Sequence, residues 1–348
     1  MIENKKYLNF SDVLIKPRKT TFESRKEAYV IRKYSFKHAR IQIESSPVMI
    51  SNMAVCGTFN VAKVAAKHKI ITCLHKFYTV EDYKNNLDLT NFNFVTVGKD
   101  SIDHLKALSD IGVFSNNKFG IAVDYANGYM VSMLRYIETI KKLFSNVVIM
   151  AGNIATPDMV SEYNNVGVDI VKCGIGSGAS CLTRKHTGVG IPQLTAIMDC
   201  QEEADRYGIM VCSDGGISEL ADFSKALSVV DFAMAGSMFG AHNESDGYLY
   251  TENEKRYYTI YGMASFTALE KLYGADKLNE SHRTSEGRTS VVECRGPIDH
   301  TFNKIFGGIR STMSYTNSRN IEDLQNNVKF IEVRETLNKV YDRYTVGE

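Results

Sequence analysis

From residue 47 onward the chain repeats one pattern, a short apolar run followed by an amphipathic stretch. The runs fall at residues 47–51, 69–74, 94–97, 119–123, 147–151, 169–173, 209–212 and 231–235. Each is rich in Val, Ile, Phe or Ala and too short for an ordinary helix, so each predicts a strand buried on both faces. Between them, residues 129–144 space Met130, Leu134, Ile137 and Leu143 for one helical face; residues 193–207 do so with Leu194, Ile197, Met198 and Ala204. Eight strands alternating with helices predict an α/β chain folded as one (β/α)8 TIM barrel over residues 1–348. A doubly wound open sheet shows the same alternation and is the second reading, separated from the first by strand count alone.

The flanks break the rhythm. Residues 12–17 are a short apolar run that stops at Pro17, and residues 18–44 are basic and irregular. Residues 1–44 are therefore expected to be an N-terminal extension lying over one end of the barrel. Residues 248–260 alternate apolar and polar around Glu252, Asn253 and Glu254, as a hairpin does. Residues 262–290 are expected to form a flap, since residues 271–288 carry little apolar content.

In a barrel of this kind the chemistry sits at the C-terminal ends of the strands. Those ends are polar or glycine-rich here: Asn52, His75 and Lys76, Gly98 and Lys99, Asp124 to Gly128, Gly152 and Asn153, Gly174, Asp214 to Gly216, and Gly236 with Ser237. The remaining composition narrows the classes. Lys+Arg 41 against Asp+Glu 40 leaves no basic field for nucleic acid or an anionic membrane. No signal peptide or membrane-spanning run occurs, and the seven scattered cysteines form no C-x-x-C pair. A soluble, cytoplasmic protein of a reducing compartment is expected.

The densest chemistry lies between Lys172 and Gln193. Gly174, Gly176, Gly178, Gly188 and Gly190 surround the thiol of Cys181, the hydroxyl of Thr183 and the cations Arg184 and Lys185. A thiol among cations and free backbone N–H groups is a candidate nucleophile. Cys173 and Cys212 end apolar strands and read as buried structural thiols. Thr183 can meet the same substrate atom or simply stabilise the loop, and the glycine carbonyls can ring a monovalent cation. Gly174-x-Gly-x-Gly lacks the dinucleotide-binding spacing. Gly215, Gly216, Gly236 and Ser237 follow strands seven and eight, where barrels commonly cradle phosphate, and Asp214 beside them can accept two ribose hydroxyls. Together these point to a nucleoside monophosphate. Glu286 in the flap suits a base edge with two N–H donors, or is a surface charge. Lys76 at the barrel mouth binds an anionic group, or is a surface lysine.

At these positions the chain resembles the family of IMP dehydrogenases and GMP reductases, over nearly its whole length. The most specific stretch is Cys181-x-Thr-Arg-x-x-Thr-Gly-Val-Gly-x-Pro-Gln193. It is joined by Ser24-Arg25, Lys76, Asp124 to Tyr129, Asp214 to Gly216, Gly262-Met263, Ser285 to Gly287 and Gly307 to Thr312. The resemblance implies conversion of GMP and NADPH to IMP, ammonia and NADP+ in purine salvage, by a homotetramer. It implies that Cys181 attacks purine C2, that Thr183 and Glu286 share the proton transfers, and that Lys76 lies near the nicotinamide. It implies a nucleotide site of Asp214, Gly215, Gly216, Gly236, Ser237, Gly262, Met263, Ala264, Arg283, Thr284, Ser285, Glu286 and Gly287. NADPH would touch Ser24, Arg25, Lys76, Asp124, Tyr125, Ala126, Ile175, Gly176, Met263, Ser311, Thr312, Met313 and Ser314, part of them from a neighbouring subunit. Potassium would sit at Gly176, Gly178, Cys181 and Arg184. Ala179 stands where the family's loop usually has a phosphate-holding serine.

Two features separate the sister activities. Only residues 75–93 lie after the second strand, too few for the inserted regulatory domain common in the dehydrogenases. No Arg-Tyr pair lies between Gly262 and Arg288; Arg256-Tyr257 lies before Gly262, in the hairpin. Both favour the reductase branch, with a dehydrogenase or a catalytically silent purine-nucleotide-binding protein as the alternatives.

Overall fold

All eight expected strands form, and their register closes them into a barrel. They are β1 (Val48–Ile50), β2 (Ile71–Leu74), β3 (Asn93–Val97), β4 (Phe119–Asp124), β5 (Ile149–Ile154), β6 (Ile170–Cys173), β7 (Met210–Asp214) and β8 (Phe232–Ala235). Each pairs in parallel with the next, and β8 returns to β1 through Ala233↔Val48, Met234↔Met49 and Ala235↔Ile50. The closure decides against an open sheet. The structure, a computed structural model, describes residues 3–262, 265, 287–334 and 336.

Helices follow the strands around the outside: α1 (Phe59–Ala65), α2 (Val80–Lys84), α3 (Ile102–Asp110), α4 (Val131–Leu143), α5 (Asp158–Asn165), α6 (Gln193–Tyr207), α7 (Leu220–Leu227) and α8 (Ile298–Tyr315). Their buried stripes match the expected ones in part. In α4 the core takes Met133, Ile137 and Ile140, while Met130 and Leu143 are exposed at the two ends. In α6 three of the four expected residues, Leu194, Ile197 and Ala204, are buried together with Cys200, and only the fourth, Met198, is exposed. Apolar spacing alone does not say which of two adjacent stripes the sheet covers; strand contact does.

Strand residues alternate between two cores because side chains point to opposite faces with period 2. Met49, Ile71, Phe94, Ala122, Met150, Ile170, Cys212 and Phe232 fill the barrel interior. The other parity, Ile50, Leu74, Val95, Val123, Ile149 and Val171, packs beneath the helices. Residues 32–45 of the N-terminal extension close the end opposite the strand C-termini. Its hairpin, Arg32–Ser35 with Gln42–Ser45, buries Tyr34, which stacks on Phe232 at 4.2 Å between ring centres. The backbone N–H groups of His38 and Ala39 donate to Asp169 Oδ1 at 2.7 and 3.1 Å. The strand Val13–Ile15 pairs antiparallel with Phe330–Glu332.

After β8 the expected hairpin forms from Tyr248–Glu252 and Lys255–Tyr261. Its two loop residues, Asn253 and Glu254, have φ of 49° and 65°, the doubly left-handed turn that matches strand twist. Thr289–Glu293 adds a third strand. Between β2 and β3 there is only α2 with its short connections, so no domain is inserted there. No helix among the described residues is long and apolar enough to cross a membrane.

Candidate active site

The inward parity of β6 puts Lys172 two residues beyond Ile170, at the top of the barrel interior. Its side chain is 3% exposed, and its ammonium reaches Asp124 at the end of β4 and Asp214 Oδ2, 3.2 Å away, at the end of β7. Asn153, at the end of β5, donates to the same Asp214 Oδ2 at 2.8 Å and to the Gly174 carbonyl at 2.8 Å. Gly152 makes room for the lysine: a Cβ there would collide with the Lys172 carbonyl oxygen and sit 2.5 Å from its Cβ.

Charge sets the direction in which Lys172 and Asp124 are shifted. Burial works against the Lys172 ammonium, but Asp124 and Asp214 outweigh it and hold its pKa above the ordinary lysine value. Burial likewise pushes the Asp124 carboxyl up, yet Lys172, Asn52 and Lys76 together bring it below the ordinary aspartate value. Lys76 thus belongs to the same constellation.

Beyond β6 the glycine-rich loop rises beside this layer. Cys181 is half-buried, and its Sγ lies 3.2 Å from Thr183 Oγ1, with the thiol as donor. Thr183 begins a single helical turn, Thr183–Thr187, that ends on Gly188 at φ 73°. Five other thiols, those of Cys56, Cys73, Cys173, Cys200 and Cys212, are buried, as expected for Cys173 and Cys212. Burial pushes the Cys56 thiol up to about 12, which keeps it un-ionised and inert.

The loop is pinned on both sides. On one side Ser177 Oγ donates to the Asp214 carbonyl at 3.0 Å, and Gly215, at φ 85°, leaves no space for a Cβ against Ser177 and Gly178. Gln193 braces it from below, donating to the Cys173 carbonyl at 2.9 Å and to Ser213 Oγ at 3.1 Å. On the other side Cys181 forms a β-bridge with Gly287. Arg288 N–H donates to the Ser180 carbonyl at 3.0 Å, and Gly262 N–H to the Arg288 carbonyl at 3.1 Å. Gly262 and Gly287, at the two ends of the expected flap, thus meet at Cys181.

The cradle residues also come together. Gly215 N–H donates to the Met234 carbonyl at 3.3 Å, tying the end of β7 to β8. Gly216 has φ 77°. Gly236 opens the 3-10 turn Ser237–Phe239, and a Cβ on it would strike Met53 and Ser51.

The expected cofactor residues fall into two groups. Lys76, Asp124, Tyr125, Ala126, Ile175 and Gly176 stand at the barrel mouth. Ser24 caps the turn Arg25–Glu27, which packs on α8, the helix that carries Ser311, Thr312, Met313 and Ser314. That helix lies against α7 and α1, beside β8, and β8 is four strands from β4 in either direction. One chain therefore holds the groups on opposite sides of the barrel. The Met313 side chain is buried in the core, away from the surface the expected cofactor contact needs.

Among the expected cation ligands, Gly178 already accepts the Cys181 N–H at 2.9 Å through one lone pair. The Arg184 stem packs over Gly176 and Gly190, and its guanidinium donates to the Ile191 carbonyl. No cluster of His, Cys, Asp and Glu able to hold a metal occurs among the described residues. Neutral carbonyl oxygens, the donors that suit a monovalent ion, are what this loop offers. Met263, Ala264, Arg283, Thr284, Ser285 and Glu286 lie outside the described residues.

Sequence reasoning placed Asn153 among the polar strand ends but assigned no role to it or to Lys172. The signal was present: a lysine in an apolar strand at inward parity demands a buried counter-charge. It also missed a cavity of about 220 Å3 beside Tyr125, lined by Lys99, Arg135 and Tyr136 among others.

Residues 7–339 match the IMP dehydrogenase / GMP reductase domain family. A GMP reductase of Aliivibrio salmonicida is 38% identical over 98% of this chain and 99% of its own length. One from Vibrio campbellii is likewise 38% identical over 98% and 99%. One from Caenorhabditis elegans is 37% identical over 99% of this chain and 97% of its own.

Proposed function

The chain belongs to the IMP dehydrogenase / GMP reductase family, and we propose that it is a GMP reductase, taking GMP and NADPH to IMP, ammonia and NADP+. The observation that carries this reading is the Cys181 thiol on the Thr183 hydroxyl, in a loop docked against Asp214 to Gly216. No domain interrupts the barrel after β2, and the flap lacks the Arg-Tyr pair that resemblance assigns to water activation. Both favour the reductase over the dehydrogenase.

In this reading Asp214 accepts the ribose hydroxyls, and the amides from Gly215 to Gly216 and at Gly236 and Ser237 hold the phosphate. That places purine C2 at Cys181. The thiol passes its proton toward Thr183 as sulfur adds to C2; Thr183 and Glu286 deliver a proton to the amino nitrogen of the tetrahedral adduct, and ammonia departs to leave a thioimidate on Cys181. When bound, the reduced nicotinamide supplies a hydride to C2, and the Cys181–C2 bond then breaks to release IMP and the thiolate. Gly287, the sequence neighbour of Glu286, pairs with Cys181 and supports that assignment.

For the cofactor, Lys76 and Asp124 flank the nicotinamide end. Lys99 and Arg135 beside Tyr125 offer cations to a 2′-phosphate, which favours NADPH over NADH. Ser24, Arg25 and the end of α8 reach the same cofactor only from a second copy, which supports a homo-oligomer, with four copies as the family resemblance implies. Carbonyls of Gly176, Gly178 and Cys181 would hold potassium and stiffen the loop. A cytoplasmic place in purine salvage follows from the substrates.

The test is purified protein with GMP and NADPH, with and without potassium, following nicotinamide absorbance and ammonia. NADPH consumption with stoichiometric ammonia is expected. Turnover of IMP with NAD+ and none of GMP would assign the dehydrogenase instead.

A further inference from the structure

Among the described residues, Lys172 is a buried cation that bridges the two halves of the site. Asp214 belongs to the nucleotide half and Asp124 to the cofactor half, and a single buried ammonium reaches both. It sits on a barrel strand, so its backbone has little freedom to follow either partner. Gly152 shapes the space it crosses, and any larger residue there would collide with it. An ammonium has three donors and no acceptor, so its hold on one carboxylate is set partly by its hold on the other.

We infer that Lys172 is a positioning residue that couples nucleotide binding to cofactor binding through the Asp214–Lys172–Asp124 bridge. The inference rests on the reading that Asp214 accepts the ribose hydroxyls and Asp124 lies on the cofactor side. Ribose hydroxyls donating to Asp214 use part of its acceptor capacity, already shared with Asn153. The ammonium then leans toward Asp124 and fixes that carboxylate where the nicotinamide ribose or carboxamide meets it. The coupling is reciprocal by thermodynamic necessity: cofactor engaging Asp124 returns Lys172 to Asp214 and alters the hold on GMP by the same factor.

The test measures the GMP dissociation constant by calorimetry with and without saturating NADP+, a combination that cannot turn over. In the wild-type protein the two values are expected to differ by about fivefold or more, the range of ordinary site-to-site coupling. Lys172→Met should bring the ratio to near one, and Lys172→Arg should retain a ratio because its guanidinium also reaches two carboxylates. Asp124→Asn should change GMP affinity several-fold in the absence of cofactor, although Asp124 touches no part of GMP. A purely structural lysine would lower stability without changing that ratio. An unchanged GMP affinity in Asp124→Asn, or an unchanged ratio in Lys172→Met, overturns the inference. Should Lys172→Met fail to fold, Asp124→Asn decides.

The unliganded protein gives an independent answer. With 13C-labelled aspartate, Asp124→Asn should move the Asp214 carboxyl resonance in the wild-type background; no movement overturns the bridge. If the wild-type protein binds no GMP, the reductase reading fails, and this measurement still judges Lys172.

Discussion

Replacing Tyr34 tests whether the barrel's two ends are separable, one for stability and one for chemistry. The side chain is fully buried beneath the barrel, stacked on Phe232 at 4.2 Å, with its hydroxyl donating to the Asp231 carbonyl at 3.3 Å. Truncating a buried aromatic costs ~3–5 kcal/mol through lost burial and the cavity left behind. Tyr34→Ala also gives up the stacked pair, worth ~0.5–1.5 kcal/mol. Tyr34→Phe keeps ring and stack and loses one long hydrogen bond, so about 0.5 kcal/mol is expected. For a chain of this length ~4 kcal/mol corresponds to a fall of about 5 °C in Tm. Urea unfolding followed by circular dichroism gives the two variants' stabilities; NADPH consumption with GMP gives kcat on the folded enzyme. The expected result is a large loss for Tyr34→Ala, a small one for Tyr34→Phe, and an unchanged kcat in both. Equal losses would mean the hydroxyl, not the ring, closes the barrel. A fall in kcat for Tyr34→Phe would refute the separation of the ends.

Other perturbations bear on the site itself. Cys181→Ala should abolish turnover while GMP still binds by calorimetry; substantial residual rate would place the nucleophile elsewhere. Thr183→Val should lower kcat by ~10²–10⁴-fold, the usual worth of a proton-transfer group, while Thr183→Ser retains most of it, as steady-state rates will show. Gly152→Ala should displace Lys172 and lower both GMP and cofactor affinity, measurable by calorimetry on each ligand alone. The Lys172–Asp124 pair should contribute stability over a wide pH window. Asp124 is shifted down, so its share is present above about pH 4 and is lost as acid titrates it; Lys172 is shifted up, so its share persists to about pH 10 and beyond. Urea midpoints of wild-type and Asp124→Asn protein across pH 4–10 should differ throughout, and converge only below that range.

Much of the fold was legible because strand identity is a local property. Each of the eight runs became a strand, since an apolar run between amphipathic stretches has few other ways to bury itself. The hairpin was legible for the same reason: Asn253 and Glu254 adopt the left-handed pair that its two-residue turn requires. Helix faces were less legible. Met130 and Met198 have the spacing of core residues, yet stand exposed: Met130 precedes the first turn of α4, and Met198 lies at the margin of a stripe whose other members are buried.

The sequence by itself determined the barrel's alternation and the loop that carries Cys181 and Thr183, because each of these is written in neighbouring residues. Only the tertiary structure decided which charges meet. Asp124, Lys172 and Asp214 are far apart along the chain, and barrel closure aligns their strands so that inward parity places all three in one layer. The same closure sets Ser24, Arg25 and the end of α8 across the barrel from Asp124, so one chain cannot gather all of its expected cofactor residues. The cause is geometric. Periodicity says which way a side chain points, whereas shear and closure say what it points at.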